Sequence, residues 1–408
     1  MINVLMIISL VLVAYVFLSY VLPFKASWKV KLGLTVFFLA ISQKFSYYYY
    51  FGGHMFNPQL SETTLIVWES LFNILLVLVP LLVVKDLLFV LVTVVNKATG
   101  SHVPWPLKEA KNRWLLLIFS VAAAISGTHY ALTVPTVHRV EITLNRLAPE
   151  FDGYRIVQMA DLHVGQLLKR PWLEAVIDTA NELDADAVVL VGDMIEGTEA
   201  SLAQEVQAYG RIKSKDGVYG VTGNHEWHHG AAAWVRFFED SGVTMLENRH
   251  HVITRGSAQL VLAGTTDRSA VRYGATGPDL KKALQGAPDA ATILLAHQPK
   301  GAKTLEGVDL QLSGHTHGGL YALMQPVVAF FNDGFVSGLY QANKTTQLYV
   351  SPGTGLWTGM ALRVMDPSEI TEIVLRSKPE PRKEMRLRWG GSMANRLFHW
   401  KCFSGTLN

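Results

Sequence analysis

The chain has 408 residues, of which 50% are hydrophobic and only 17% are charged, and its formal net charge is +3. A mean hydropathy of +0.22 excludes a wholly soluble enzyme of ordinary composition. The single cysteine, Cys402, excludes an internal disulfide. We expect no nucleic-acid partner, because the clearest basic stretch is confined to the C-terminal end of the chain.

Four segments before residue 135 are apolar enough to predict membrane-spanning helices: 4–22, 32–51, 63–84 and 114–134. Each has about 20 residues, the length that a helix needs to cross the hydrocarbon core. The second is the least regular, because it contains Lys44 and ends in four tyrosines, which are typical of the membrane interface. The first lacks the basic start and the small-residue cleavage site of a signal peptide, so we expect a retained helix.

Basic residues near these segments predict the orientation of the chain. One cluster follows the first segment and another precedes the fourth: Lys25, Lys29 and Lys31, then Lys97, Lys108, Lys111 and Arg113. The positive-inside rule places both clusters in the cytoplasm, which requires four spans rather than three. We therefore expect a multi-pass protein of the cell membrane whose remaining chain is extracytoplasmic, in the periplasm of a bacterium with two membranes.

Glu69 is the only charged residue of the segment 63–84, and a charge inside a membrane is costly. We expect Glu69 to lie near the outer interface, because it is close to the start of that segment. The alternative is a polar contact with Lys44 or Asn73 inside the helical bundle.

Short apolar runs after residue 150 predict buried strands at 155–160, 187–191, 218–222, 259–265, 292–296 and 308–313. They are rich in β-branched residues and too short for typical helices. Helices are predicted at 171–183, which begins with Pro171, and at 231–240, which ends before Gly242. This alternation predicts an α/β domain.

Polar residues follow five of these strands, at the point where each strand ends. The segments are Asp161-Leu162-His163, Gly192-Asp193, Gly223-Asn224-His225-Glu226, Ala296-His297 and Gly314-His315-Thr316-His317-Gly318-Gly319. Ligands in open α/β sheets collect beyond the carboxyl ends of the strands, so we expect one shared site. Carboxylate, amide and imidazole donors without a thiolate permit Mn, Fe, Zn, Ni or Co. Seven such side chains suit two metals that share one carboxylate.

The order and spacing of these segments resemble the calcineurin-like metallophosphoesterase family over roughly residues 150–375. The resemblance implies a β-sandwich flanked by helices, two divalent metal ions and a metal-dependent phosphoric ester hydrolase. It also implies that a hydroxide bridging the metals attacks phosphorus in line. Asp193 would bridge the ions, with Asp161, His163 and His317 at the first and Asn224, His297 and His315 at the second.

His225 matches the family's general acid, which protonates the leaving oxygen. Many family members orient this histidine with an aspartate three residues after the bridging aspartate, whereas this chain has Glu196 there. Glutamate is also a carboxylate but is one methylene longer, so we expect a Glu196–His225 pair of altered geometry.

Two neighbouring pairs of residues are weaker candidates for the site. His228 and His229 lie just past His225 and are expected to be solvated loop residues. Asp267 and Arg268 follow the strand 259–265 and could reach the pocket, although we do not expect them to.

The chain is thus predicted to have four parts: a transmembrane domain of about four helices (1–135), a linker (136–149), the metallophosphoesterase domain (150–375) and a basic tail (376–408). The residue pattern also resembles the group of transmembrane proteins with a metallophosphoesterase domain. Basic and aromatic residues alternate in the tail, which is typical either of a segment lying on an anionic membrane or of a disordered soluble tail.

We expect a membrane-anchored phosphoesterase or phosphodiesterase whose partners are the membrane and a phosphorylated small molecule or lipid. The short linker would hold the site near lipid headgroups, which favours a lipid-linked phosphate or pyrophosphate. Three alternatives stay open: a nucleotide or cyclic-nucleotide phosphodiesterase, an enzyme resembling the hydrolase of UDP-2,3-diacylglucosamine, and a non-catalytic membrane sensor. The second needs a cytoplasmic site, and the third does not explain His225, because a structural metal site closes its coordination.

Overall fold

The computed structural model describes residues 2–105, 107, 109–357, 359–364 and 366–378. The predicted basic tail therefore lies outside the described residues except for residues 376–378, and so does Cys402.

Helices make up the first part of the chain. They are α1 (Ile2–Val16, continued by a π-helical turn Phe17–Val21), α2 (Trp28–Ser42), α3 (Lys44–Gly52), α4 (Glu62–Thr99) and α5 (Ala110–Ala131). The ends of α4 follow from its sequence: the Ser61 side chain accepts a hydrogen bond from the Thr64 backbone N–H, and Gly100 ends the helix in the left-handed conformation.

Among the described residues, α4 and α5 are long and apolar enough to cross a membrane, and a shorter apolar helix covers Met6–Val21. The predicted segment 32–51 is divided at Gln43, where the backbone leaves the helical conformation (φ −87°, ψ 17°) between α2 and α3. The arrangement with four spans therefore stays a prediction.

For Glu69 the structure shows the alternative, a polar contact with Lys44 inside the bundle. Glu69, a residue of α4, is buried against α3, and Nζ of Lys44 lies 3.0 Å from both of its carboxylate oxygens. The carboxylate also accepts hydrogen bonds from the Tyr48 hydroxyl (3.0 Å) and the Ala361 backbone N–H (3.1 Å). These partners offset the cost of removing both charges from water, which is why the pair can lie in the interior.

Twelve strands form two six-stranded sheets in the described part of the chain. The first sheet contains β1 (Thr136–Leu144), β2 (Arg155–Met159), β3 (Ala187–Val191), β4 (Val218–Val221), β5 (Val243–Met245) and β12 (Glu369–Ser377), in the order β1-β12-β2-β3-β4-β5. The second contains β6 (Arg249–Arg255), β7 (Ala258–Gly264), β8 (Ala291–Leu295), β9 (Leu310–Ser313), β10 (Gly338–Gln341) and β11 (Gln347–Val350), in the order β10-β11-β9-β8-β7-β6. Strands β2 to β5 are parallel, and so are β7, β8, β9 and β11.

The two sheets pack face to face and bury one core between them. Alternate residues of each strand point to opposite faces, so Ile156 and Val189 face the second sheet while Val157 and Val188 face the helices on the other side. Burial on both faces explains why these strands are apolar throughout. The predicted mixed α/β architecture with sheets flanked by helices is confirmed.

Six short or amphipathic helices complete this part: α6 (Arg170–Glu182), α7 (Glu199–Leu202), α8 (Asn224–His228), α9 (Ala231–Asp240), α10 (Leu280–Ala283) and α11 (Gln325–Phe331). α6 and α9 match the two predicted helices. Their apolar faces pack against the outer face of the first sheet.

The prediction of a linker at 136–149 is wrong. β1 pairs with β12 along all nine of its residues, from Thr136 opposite Glu369 to Leu144 opposite Ser377. The strand was missed because most of its side chains are exposed, so it lacks the continuous apolar run of the interior strands. The sandwich therefore begins almost directly after α5.

A short segment of the sandwich, residues 359–364, binds the helical bundle, and we call it the clasp segment. Asn73 Nδ2 donates to the Ala361 carbonyl oxygen (2.7 Å), and the Arg363 backbone N–H donates to the Gly127 carbonyl oxygen (3.0 Å). Nζ of Lys44 donates to the Gly359 carbonyl oxygen. Helices α3, α4 and α5 therefore each form a hydrogen bond with the clasp segment.

Candidate metal centre

Tight turns after the strands hold the candidate ligands. Nine non-glycine residues of the described chain have positive φ, and five of them are expected ligands: Asp161 (54°), His163 (44°), Asp193 (52°), His315 (75°) and His317 (49°). Such conformations cost on the order of 1–3 kcal/mol each and persist where the surroundings enforce them. Backbone strain is thus concentrated at the strand ends that carry the motif.

The first group of ligands comprises Asp161, His163 and His317, all of them buried. Nε2 of His163 lies 3.2 Å from Nε2 of His317, which in turn lies 3.4 Å from Oδ1 of Asp161. Both oxygens of Asp161 accept a hydrogen bond from the His315 backbone N–H. Imidazoles and a carboxylate therefore face one small volume.

The second group comprises Asp193, His297 and His315. Nδ1 of His297 donates to the Val191 carbonyl oxygen (2.9 Å), which leaves the lone pair on Nε2. That atom lies 3.1 Å from Oδ2 of Asp193. Two atoms with lone pairs at this distance are stable only when a proton or a metal ion lies near both.

Asp193 joins the two groups. Its Oδ2 lies 3.8 Å from Nε2 of His163 in the first group as well as 3.1 Å from Nε2 of His297 in the second. Asn224, the first residue of α8, lines the same cavity as His315, and its buried Oδ1 has no hydrogen-bond partner among the described residues. All seven side chains expected to bind metal thus lie in or beside these two groups.

Glycines are required where the turns approach the carboxylates. A Cβ at Gly314 would overlap the carboxylate of Asp161, and one at Gly223 would overlap that of Asp193. A side chain at either position would displace the acidic groups of the site, which accounts for glycine before each of these motifs.

His225 and Glu196 are in direct contact, with Nδ1 2.5 Å from Oε2. Burial opposes a charge on the imidazole, but the carboxylates of Glu196 and Asp193 raise the pKa of His225 to about 10. The contact with the Glu196 carboxylate therefore favours the protonated form of the ring. The Glu196–His225 pair expected from the sequence is therefore in contact, with the glutamate in place of an aspartate.

Glu226 has a role that the sequence did not reveal. Its carboxylate accepts hydrogen bonds from the backbone N–H groups of Asp193 (3.0 Å), Met194 (2.8 Å) and Gly223 (2.6 Å). It thereby joins the turn after β3 to the turn after β4. Burial, followed by the nearby Asp193 carboxylate, raises the pKa of Glu226 to about 7.

The expectation that His229 is a solvated loop residue is wrong. Nε2 of His229 lies 3.2 Å from Oε1 of Glu196, so this carboxylate contacts His163, His225 and His229. The ring centroid of His229 is also 6.2 Å from that of His54, in the loop between α3 and α4. His228 is more exposed and lines the cavity beside Asn224, with Nδ1 2.5 Å from the Tyr273 hydroxyl.

Two further residues support the first group and were not identified from the sequence. Nη1 of the buried Arg363 donates to the His317 carbonyl oxygen (2.7 Å), and Trp357 stacks on the His317 ring (centroids 5.5 Å apart). No motif marks either residue, because their partners lie far away in the chain.

Known proteins match the part of the chain that carries this site. The family model of the calcineurin-like phosphoesterase matches residues 154–319, which include every expected metal ligand. A transmembrane protein with metallophosphoesterase domain from Danio rerio is 36% identical over 274 residues, covering 64% of this chain and 62% of the relative. The chain therefore spans less than two thirds of that relative.

Bacterial relatives are covered more completely. A metallophosphoesterase from Helicobacter pylori (strain ATCC 700392 / 26695) is 33% identical over 256 residues, which cover 62% of this chain and 67% of the relative. One from Campylobacter jejuni is 33% identical over 268 residues, covering 64% of this chain and 69% of the relative. Together with the ordered ligand motif, these matches show that the chain belongs to the calcineurin-like phosphoesterase family.

Proposed function

We propose that the protein is a membrane-anchored phosphoesterase that uses two divalent metal ions to hydrolyse a phosphate ester or a pyrophosphate. The observation that carries this proposal is the position of Asp193, one carboxylate shared by two groups of nitrogen and oxygen donors. His225, held by Glu196, lies 3.9 Å from the same carboxylate.

The donor set fits two ions. Asn224 Oδ1 is a buried acceptor without a hydrogen-bond partner among the described residues, and Nε2 of His297 faces Oδ2 of Asp193 at 3.1 Å, which suits atoms that bind a cation. Asp161, His163 and His317 would hold one ion, Asn224, His297 and His315 the other, and Asp193 both. When bound, such ions act as Lewis acids toward phosphoryl oxygens and lower the pKa of coordinated water. Mn, Fe, Zn, Ni and Co all suit these donors.

The protonation step depends on residues of the chain itself. Hydrolysis breaks the bond between phosphorus and the leaving oxygen, which then needs a proton. Nδ1 of His225 faces Glu196, so Nε2 is the atom available to give that proton. Glu196 acts as a positioning residue that fixes the ring and favours its protonated form.

A lipid-linked phosphate is the substrate class that we favour. Helix α11 exposes Val327, Phe330 and Phe331 to 47%, 82% and 65%, and Phe331 also lines the cavity that contains Asn224 and His315. The same region is attached to the bundle, because the Tyr321 hydroxyl donates to the Leu76 carbonyl oxygen of α4. An apolar surface beside the site and next to a candidate membrane helix suits an amphiphilic substrate.

We also propose that the chain is a multi-pass membrane protein with its catalytic domain outside the cytoplasm. Support comes from the basic residues around the predicted spans, which the positive-inside rule assigns to the cytoplasm. In spheroplasts, whose outer membrane is opened while the inner membrane stays intact, a protease added outside should cleave within residues 150–375. Protection there, with cleavage only after lysis, would assign the domain to the cytoplasm.

Activity of the full chain in detergent tests the enzymatic proposal. We expect Mn²⁺-dependent hydrolysis of bis-p-nitrophenyl phosphate, abolished by a chelator and restored by added metal. Hydrolysis of phospholipid phosphates in mixed micelles, with slower hydrolysis of nucleotides, would support the lipid substrate. The reverse preference would favour a nucleotide phosphodiesterase, and no turnover with any metal would contradict an enzymatic function.

A further inference from the structure

A cavity of about 480 Å³ opens beside the second group of ligands. Its lining includes Asn224 and His315 together with three cations: Arg268, Arg272 and Lys300. Arg268 and Arg272 are on a 3-10 helix, Arg268–Tyr273, and Lys300 lies in the turn that follows β8 and His297. We call the part lined by these three residues the cationic cavity.

No carboxylate lines this cavity among the described residues. The nearest acid in sequence, Asp267, is buried and fully engaged elsewhere: its Oδ1 accepts from the Ser269 backbone N–H (2.7 Å) and hydroxyl (2.6 Å), and the Gln298 amide donates to its Oδ2 (3.0 Å). Asp267 thus fixes the start of the 3-10 helix instead of neutralising the arginines. The cavity keeps its positive charge.

One of the three cations is held by a local contact. Nη1 of Arg268 donates to the Lys300 carbonyl oxygen at 3.3 Å, which links the 3-10 helix to the turn after β8. Guanidinium and ammonium groups at the edge of a metal site are the partners that phosphate oxygens prefer, and arginine adds bidentate geometry. A volume of this size accommodates a small charged group in addition to the phosphoryl group being cleaved.

We propose that the cationic cavity binds a second phosphate of the substrate, so that preferred substrates carry two phosphate groups. One lies at the Asp193 centre and is cleaved, and the other is held by Arg268, Arg272 and Lys300. This inference rests on the proposed function and specifies its substrate class. The second phosphate can belong to a lipid diphosphate or to a soluble diphosphate, because the cations recognise the shared group.

Matched substrates that differ by one phosphate test the inference on the full chain with Mn²⁺. ADP is compared with AMP, and diacylglycerol pyrophosphate with phosphatidic acid in mixed micelles. We expect kcat/KM to be higher for the diphosphate of each pair. In the double variant Arg272→Ala/Lys300→Ala, the ratio of diphosphate to monophosphate should fall roughly 10-fold, the loss expected for charge-assisted hydrogen bonds.

A matched control removes two exposed cations that line none of the described cavities beside the site. Lys213→Ala/Arg236→Ala should leave the ratio of diphosphate to monophosphate unchanged. An unchanged ratio in Arg272→Ala/Lys300→Ala, or an equal loss on both members of a pair, would overturn the proposal. A preference confined to the lipid pair would identify the lipid as the source of the second phosphate, and one confined to ADP a soluble substrate.

Equilibrium binding separates this inference from the proposed function. Titration calorimetry with ADP and AMP on His225→Ala, in which turnover is suppressed, measures the subsite, and we expect the tighter binding of ADP to disappear when Arg272→Ala/Lys300→Ala is added. If the wild type hydrolyses nothing but keeps this difference, the proposed function fails and the subsite stands. If the wild type hydrolyses phosphate esters but binds ADP and AMP equally, the subsite fails alone.

Discussion

Two clusters of buried charge, one in the helical bundle and one in the sandwich, differ in how their polar atoms are satisfied. In the bundle, the Lys44 ammonium contacts both oxygens of Glu69 and the Gly359 carbonyl oxygen, while Glu69 also receives hydrogen bonds from Tyr48 and Ala361. At the metal centre, the buried Asn224 Oδ1 has no hydrogen-bond partner among the described residues, and Nε2 of His297 faces the Asp193 carboxylate at 3.1 Å.

The difference indicates what each cluster does. A buried ion pair with a complete set of partners contributes to the structure and has no remaining capacity for a ligand. Buried acceptors that face each other need a cation, and the shared Asp193 provides for two. The clasp segment connects the clusters, because it binds Lys44 and Glu69 and also contains Arg363, which supports His317.

The largest expected effect comes from the carboxylate that both groups share. In Asp193→Asn, kcat/KM for bis-p-nitrophenyl phosphate should fall by roughly 10³-fold or more, because both ions lose a charged ligand. The control Asp178→Asn, which removes one partner of an exposed ion pair with Arg211, should stay close to wild type. Residual activity above a tenth of wild type would contradict a shared ligand.

Removal of the proposed acid should be nearly as damaging. His225→Ala is expected to lower kcat by about 10²–10⁴-fold, the usual contribution of a positioned acid. Metal content should stay unchanged, since His225 is not assigned as a ligand. His138→Ala, an exposed histidine on β1, is the matched control. Loss of metal from His225→Ala, measured by mass spectrometry, would instead identify His225 as a ligand.

A smaller loss is expected when the positioning carboxylate is neutralised. Glu196→Gln keeps the shape of the side chain but removes the charge that holds the imidazole, so kcat should fall roughly 10–100-fold. Combined with His225→Ala, the substitution should cost little more than His225→Ala alone, because the two residues act as a unit. Full additivity in this double-mutant cycle would show that Glu196 acts independently of His225.

The bundle cluster should affect stability far more than activity. Lys44→Met leaves Glu69 buried without its countercharge, which should lower the free energy of unfolding by about 3–5 kcal/mol. Lys44→Met/Glu69→Leu should recover part of this loss, although the Ala361 N–H then lacks a partner. Thermal unfolding in detergent measures both, with Lys111→Met in an exposed ion pair as control. A double variant less stable than Lys44→Met would contradict this account.

The sequence predicted the interior of the sandwich well and its margins poorly. β3 was predicted exactly at 187–191 because it is buried on both faces, which requires an unbroken apolar run. β1 was missed because only Ile142 and Leu144 among its side chains are buried. β1 pairs with β12, a strand near the other end of the described chain, so the residues around β1 do not reveal the pairing.

The same distinction applies to the site. The expected ligands were identified from short motifs at strand ends, where the local sequence determines the turn, and the structure brings them together in two groups. Contacts made by residues far apart in the chain, such as Arg363 with His317 and Lys44 with Glu69, depend on packing between elements. The sequence predicted the Lys44–Glu69 contact only as an alternative to a position near the membrane interface. It could not decide between the two, because the distance between α3 and α4 depends on how the helices pack.

The central claim is that Asp193 is shared by two metal ions, and the number of ions bound per chain tests it most directly. Inductively coupled plasma mass spectrometry of the full chain, purified with Mn²⁺, should give two ions per chain. His297→Ala, which removes a ligand from one group only, should give one, and Asp193→Asn should bind both weakly. A wild-type protein that hydrolyses phosphate esters with a single bound ion would contradict the account.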